Sequence, residues 1–347
     1  MKQVSEQAVL DFYTYPPIGG DDWRYTFQSA RVRALEIQML SRVALQDMAN
    51  AENFDQALDM LGASEYTPAQ GSRSFAELES TLQLRRAAVR ELFDALCIDE
   101  PIAELFRTRD DFANLRLAVR RAMVGKAIGS DYSNQGNAAA EDFEQAFEEQ
   151  DRAGSEVLPD YMRQAAEQAI LAYYQKKDIR QIDYAIDAFQ ARYNLQKAFE
   201  LDSLFLVGLF RIQTDLTNIR TMLRLKFTES EQRKCFLDGG YVEIERLQRG
   251  LDTGYEALAA LFFATPYFQV VETGAGYLTS NRSFLKLEQQ CEEYIAGYSK
   301  STSQITAGSQ PVIAYLLLKE DEIRTVRLIM TAKKNNLETK LILDRIS

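Results

Sequence analysis

Asp111-Phe112-Ala113-Asn114-Leu115-Arg116 returns as Asp215-Leu216-Thr217-Asn218-Ile219-Arg220, and in altered form as Glu322-Ile323-Arg324-Thr325-Val326-Arg327. The shared pattern is an acid, an apolar residue, any residue, Asn or Thr, an apolar residue and Arg. The copies lie 104 and 107 residues apart. Apolar residues at the second and fifth places are three apart and share one helix face. The acid and the Asn are also three apart, on a neighbouring face. Asn is a poor mid-helix residue because its amide competes for backbone groups, so its return at Asn114 and Asn218 points to a specific hydrogen bond. Two readings stay open for the acids and arginines: they satisfy neighbouring helices internally, or the arginines line a surface for a partner.

Outward from these segments, helix is the dominant signal. Ser74 and Glu77 have capping-box spacing ahead of Leu78, Leu82, Val89 and Leu92. Pro101 suits a first helical turn after Asp99 and Glu100. Ile182, Ile186, Phe189 and Tyr193 form another stripe, and Ser309 with Pro311 opens a last helix reaching about Asn335. Only 17 Gly and 7 Pro occur in 347 residues, too few turn formers for a sandwich or barrel. The expected fold class is all-α.

The interval sets the organisation. A unit of about 105 residues exceeds the period of a tetratricopeptide or HEAT solenoid and suits a small helical domain. Three units are expected, at residues 23–126, 127–233 and 234–347. Leu58, Leu61, Ser64 and Tyr66 precede the first copy as Leu258, Leu261, Thr265 and Tyr267 precede the third; the middle unit has no clear equivalent. Residues 1–22, with the turn-rich Tyr-Pro-Pro-Ile-Gly-Gly-Asp-Asp ahead of Trp23, read as an N-terminal extension that packs loosely.

Composition removes most chemistry. Histidine is absent, and with it the commonest general base and zinc ligand. Cys97, Cys235 and Cys291 are far apart, so neither a thiolate metal site nor a disulfide framework is expected. The net charge of −11 argues against nucleic acid and against electrostatic docking on anionic lipid. Met1–Leu10 has no signal-peptide apolar core, and the apolar stretches at 204–210 and 257–264 are too short to span a bilayer.

No phosphate loop follows from Gly125-Lys126, which lacks the upstream glycine, and Gly274-Ala275-Gly276 reads as a turn. Asp110-Asp111 resembles the start of the magnesium-binding DDxxD of prenyl and terpene synthases. The fifth position is Asn114, however, and the second acidic motif is missing. The acidic run from Glu141 to Asp151 reads as a solvated face. The clusters Arg85, Arg86, Arg90 and Arg116, Arg120, Arg121 read as internal pairs or contacts to an acidic protein. No catalytic residue, metal ligand or cofactor site is expected.

Several ordered segments carry a resemblance. These are Tyr25 with Arg31-Val32-Arg33, then Phe54, Leu58, Leu61 and Tyr66, then the two Asp-Asn-Arg copies. Gly239-Gly240, Thr265-Pro266-Tyr267 and Leu287-Glu288 follow. The series ends with Pro311-Val312-Ile313-Ala314-Tyr315, Lys319-Glu320, Glu322-Ile323 and Val326-Arg327. In order and spacing they resemble the C subunit of prokaryotic A/V-type rotary ATPases, known as the d subunit in eukaryotes. The resemblance covers almost all of residues 23–347. Thr325, where that family often has Asn, and the first 22 residues depart from it.

The resemblance implies three similar helical domains around a pseudo-threefold axis, forming a funnel. It implies a non-catalytic central-stalk piece on the cytoplasmic side of the membrane. The cavity would receive the rotor shaft subunits, and the opposite face would sit on the membrane proteolipid ring, transmitting torque for ion transport. The alternative is a free-standing helical scaffold or adapter with the same fold.

Overall fold

The computed structural model describes residues 10–12, 14–62, 64–68, 73–125, 131–148, 157–230, 232–233 and 235–346. Among them every regular element is a helix. Short 3-10 turns stand at Trp23–Tyr25, Ala259–Phe262 and Ser301–Gln304, and the α-helices in chain order are α1 (Thr26–Glu36), α2 (Arg42–Asn50), α3 (Phe54–Met60), α4 (Phe75–Leu96), α5 (Glu100–Val124), α6 (Ala140–Glu148), α7 (Asp160–Lys176) and α8 (Arg180–Glu200). There follow α9 (Leu204–Phe227), α10 (Ile244–Asp252), α11 (Tyr255–Leu258), α12 (Phe268–Asn281), α13 (Leu285–Lys300), α14 (Ser309–Lys334) and α15 (Thr339–Ile346). The expected signals act where they were read. Ser74 Oγ accepts the Glu77 N–H at 3.2 Å and caps α4, and Pro101 lies in the first turn of α5.

The chain forms two compact units. One comprises Asp99–Leu251. Its core is the apolar face of α5, with Phe112, Leu115 and Val119, closed by α7 and α8. On α7, Met162, Ala165, Ala166 and Ala169 are all buried; three small side chains in that face let α8 approach and seat Ile182, Ile186 and Phe189. Phe112 is the hub, with the rings of Tyr161, Phe189 and Tyr193 about it at 5.8–6.1 Å. Burying such a ring contributes on the order of 2–3 kcal/mol.

The other unit comprises Asp11–Ile98 with Asp252–Ser347. Its axis is α14, packed by α1, α2, α3, α4 and α13. Val312, Leu316, Lys319, Ile323, Val326 and Met330 are buried along it at three- and four-residue steps.

The segment at 14–22 corrects the expectation of a loose tail. The Tyr294 hydroxyl donates to the Thr14 carbonyl at 2.5 Å, and the Tyr15 ring packs on Tyr294 and Tyr298. Asp21 Oδ1 accepts the N–H groups of Thr306 and Ala307 at 2.7 and 3.1 Å, and the Asp22 N–H donates to the Ala307 carbonyl. Gln310 Nε2 reaches the carbonyls of Ile18 and Gly20. The turn formers do break the helix here, but the backbone groups they leave open find partners on α13, α14 and the link between them. Residues 1–9 and 13 lie outside the described residues, as do the expected boundary residues 126, 127 and 234.

Candidate functional site

The repeated segments build a recurring joint. On α5, Asp111 is fully buried. Its Oδ1 accepts the Ala138 N–H at 3.1 Å; its Oδ2 accepts Asn137 Nδ2 at 2.9 Å and the Tyr161 hydroxyl at 2.7 Å. One turn on, Asn114 uses both halves of its amide. Nδ2 donates to the Ser133 carbonyl at 2.8 Å, and Oδ1 accepts the Ser133 N–H at 2.9 Å. Only a side chain with one donor and one acceptor, spaced like a peptide, can do both.

The same construction stands on α9. Asp215 is fully buried and accepts the N–H groups of Val242 at 2.9 Å and Tyr241 at 3.0 Å. Asn218 exchanges two hydrogen bonds with the Leu237 peptide, at 2.8 and 2.7 Å. In both joints the last N–H donor lies 27 residues after the acid, and the doubly bonded peptide 19 residues after the Asn. Gly136 and Gly240 each precede that donor by two. A Cβ on either would overlap the acid's Oδ1 and stand 3.0 Å from its Cγ. The carboxylate therefore reaches the loop only across a glycine. Arg211 backs the second joint: it donates to the Gly240 carbonyl between the rings of Phe199 and Tyr241, and burial holds its pKa below the ordinary value.

The third acid is built differently. Glu322 Oε2 accepts the Leu40 N–H at 2.6 Å, while Oε1 takes the Tyr66 hydroxyl and, at 2.5 Å, Lys319 Nζ. Lys319 is itself buried and also pairs with Glu65. Burial, then the Glu322 charge, holds the Tyr66 pKa above its ordinary value; burial and Asp111 do the same to Tyr161. Thr325, in the place of Asn114 and Asn218, lies on the wall of a cavity of about 660 Å³. The charges lining that cavity largely compensate: Glu292 takes Arg345 at 2.6 Å and Arg324 at 3.1 Å, and Arg33 pairs with Glu36 at 2.8 Å.

Two of the three arginines of the repeat meet acids on other helices. Arg116 pairs with Asp187 and Asp183 of α8, and Arg327 grips both Glu79 oxygens on α4 at 3.0 and 3.1 Å. Arg220 is half-buried at the same register of α9. Among the basic clusters, Arg90 and Arg86 meet Glu320, Arg85 donates to the Glu65 carbonyl, Arg120 meets Asp183, and Arg121 meets Asp131. Asp110 accepts the Ser133 hydroxyl at 3.2 Å. Asp110 and Asp111 thus both serve the same loop, and the Asp111 oxygens are aimed at the chain's own donors. No cluster of three potential metal ligands occurs among the described residues. In the acidic run, Phe143 turns into the core; Glu149 and Asp151 lie outside the described residues.

Sequence reasoning missed the receiving side of each joint. It found no tyrosine in the middle unit to match Tyr66; Tyr161 plays that part, donating to Asp111 as Tyr66 donates to Glu322. A usable signal existed in the equal distances from Asn114 to Gly136 and from Asn218 to Gly240.

Residues 28–345 match the ATP synthase (C/AC39) subunit family. The chain belongs to that family. Among curated proteins, the C subunit of the V-type sodium ATPase of Enterococcus hirae is 20% identical over 320 residues, covering 91% of this chain and 95% of the relative. The C/AC39 family thus spans nearly the whole of both compact units, and each of the three joints lies within the match. Among the described residues no helix is long and apolar enough to cross a membrane.

Proposed function

We propose that this C/AC39 family member is the non-catalytic coupling piece of a V/A-type rotary ATPase. It grips the rotor shaft subunits, seats on the membrane proteolipid ring from the cytoplasmic side, and passes torque between them for ion transport. The observation that carries this reading is the family match over residues 28–345. The three-repeat division and the funnel-like arrangement belong to the same proposal. The joints support it: a torque-bearing part needs its loops clamped to its helices, and buried acids with several donors make stiff clamps. We assign the repeat acids, Asn114, Asn218, Arg116 and Arg327 to that clamping rather than to contact with the shaft.

The test is co-purification. The tagged chain should bring down the shaft subunits and the ring when expressed with the rest of the complex. Recovery of the chain free of both, under conditions where the rest assembles, overturns the reading.

A further inference from the structure

Helix α1 and the 3-10 turn that leads into it (Trp23–Tyr25) carry apolar residues on two opposite faces. Tyr25, Ser29 and Val32 are fully buried against its own unit. On the far side, Trp23, Phe27 and Ile37 are 66, 66 and 85% exposed, with exposed Ala30 and Ala34 between them. Within α1 and its C-cap the outward residues Phe27, Ala30, Ala34 and Ile37 advance by three, four and three, the seam spacing of a left-handed coiled coil, and Trp23 stands just ahead of them in the 3-10 turn. A helix apolar all round is normally buried. Ala30 and Ala34 are small residues between the bulky Phe27 and Ile37. A membrane-inserting face would be expected to carry bulky residues there.

We infer that this face of α1 docks an α-helix of another protein chain, with apolar residues at heptad spacing and acidic residues beside them. The charge assignment comes from the seam's flank. Arg24 and Arg31 occupy equivalent flanking positions; Arg24 shares its charge with Asp22 at 2.6 Å, and Arg31 is exposed. Facing acids at that flank complement Arg31. The same geometry disfavours a second copy, because an antiparallel pair centred near Ala30 would set Arg31 against the other copy's Arg31. The inference rests on the coupling reading only for which complex supplies the helix.

Trp23 is the sole tryptophan, so the full chain carries its own reporter. The probe is a synthetic heptad peptide with Leu at the seam and Glu at the flanks. It should move Trp23 emission to shorter wavelength and shield it from acrylamide. Phe27→Glu and Ile37→Glu, both at exposed positions, should keep the melting temperature and weaken peptide binding about tenfold or more. In the assembled complex Trp23 should be shielded too. Four results overturn the inference: no shift with the Glu peptide; equal affinity for a Lys-flanked peptide; a shift with phosphatidylserine vesicles in place of peptide; or a concentration-dependent shift of the chain alone. Failure of the coupling reading looks different. The chain then purifies without rotor subunits while Phe27→Glu still weakens the peptide-induced shift.

Discussion

Gly240→Ala tests the joint at its tightest point. The new Cβ would overlap Asp215 Oδ1, so either the carboxylate or the loop must move. Asp215 is fully buried. Moving it breaks at least one of two hydrogen bonds, at 2.9 and 3.0 Å from the Val242 and Tyr241 N–H groups. A hydrogen bond to a charged group contributes about 1.5–3 kcal/mol, and overpacking adds about 1 kcal/mol or more. The expected loss is therefore about 3 kcal/mol. For a unit the size of Asp99–Leu251, each kcal/mol shifts the melting temperature by roughly 2–4 °C, so that unit should melt roughly 6–12 °C lower. Far-UV circular dichroism during heating reads this directly. Gly276→Ala is the control: nothing lies within 4 Å of its Cβ on α12, and the same change there should stabilise by about 0.5–1 kcal/mol. In an Asp215→Ala background, Gly240→Ala should cost less than about 1 kcal/mol, because the group it collides with is gone. Melting within about 2 °C of the parent, or additive costs in the double variant, refutes the reasoning.

The remaining predictions probe the other parts. Asn114→Asp and Asn218→Asp each turn a carboxylate oxygen toward a carbonyl now accepting at 2.8 Å, from Ser133 or Leu237; each should cost about 2 kcal/mol in urea denaturation, and the two should add. Arg327→Ala should cost less than about 1 kcal/mol, since Arg327 and Glu79 are 33 and 26% exposed; Arg90→Ala should cost about 3 kcal/mol, since Arg90 and Glu320 are 14 and 10% exposed. The reverse ranking in denaturant melts would contradict this. Stability should also fall in alkali. Tyr66 and Tyr161 are raised above 10.0 in the folded chain, so the stability they contribute is full below about pH 10 and is lost as pH rises toward their folded values. A Tyr66→Phe variant should start less stable and decline less steeply above pH 10, by melting at a series of pH values.

Helix positions were legible because their signals are local. Ser74 with Glu77, Pro101 and the stripe of Ile182, Ile186 and Phe189 each act within a few residues. The acid-Asn pairs were legible as a repeat for the same reason. Their partners were not: Ser133, Leu237, Ala138 and Val242 contribute peptide groups, and a peptide group has no identity in sequence. Gly136 and Gly240 stand in the sequence, but nothing local marks them as the places where a carboxylate crosses. Tyr161 was hidden because its surroundings differ from those of Tyr66, although its hydroxyl does the same work. The strap at 14–22 was misread because turn formers report the loss of helix and say nothing about what the freed backbone then meets.

The departure of the third joint from the other two follows from where its loop comes from. Asp111 and Asp215 each clasp an N–H only 27 residues onward, whereas Glu322 clasps that of Leu40, 282 residues away. By loop-closure scaling, joining groups tenfold farther apart costs about 2 kcal/mol more. A longer acid extends the reach. Lys319, held between Glu322 and Glu65, adds two ion pairs at the third joint. Further contacts hold the same seam: Ser29 exchanges hydrogen bonds with the backbone of Gly308, and Asp21 takes two N–H groups after Ser303. The buried charges also raise the cost of any wrong closure, since an N-terminal segment out of register would take Glu65 away from the buried Lys319 and leave it Glu322 alone. The Thr325 departure belongs with this. No local loop lies 19 residues onward to be gripped as Ser133 and Leu237 are, because residue 344 is already in α15. The Asn has no peptide to hold there, and the seam is closed by ions instead.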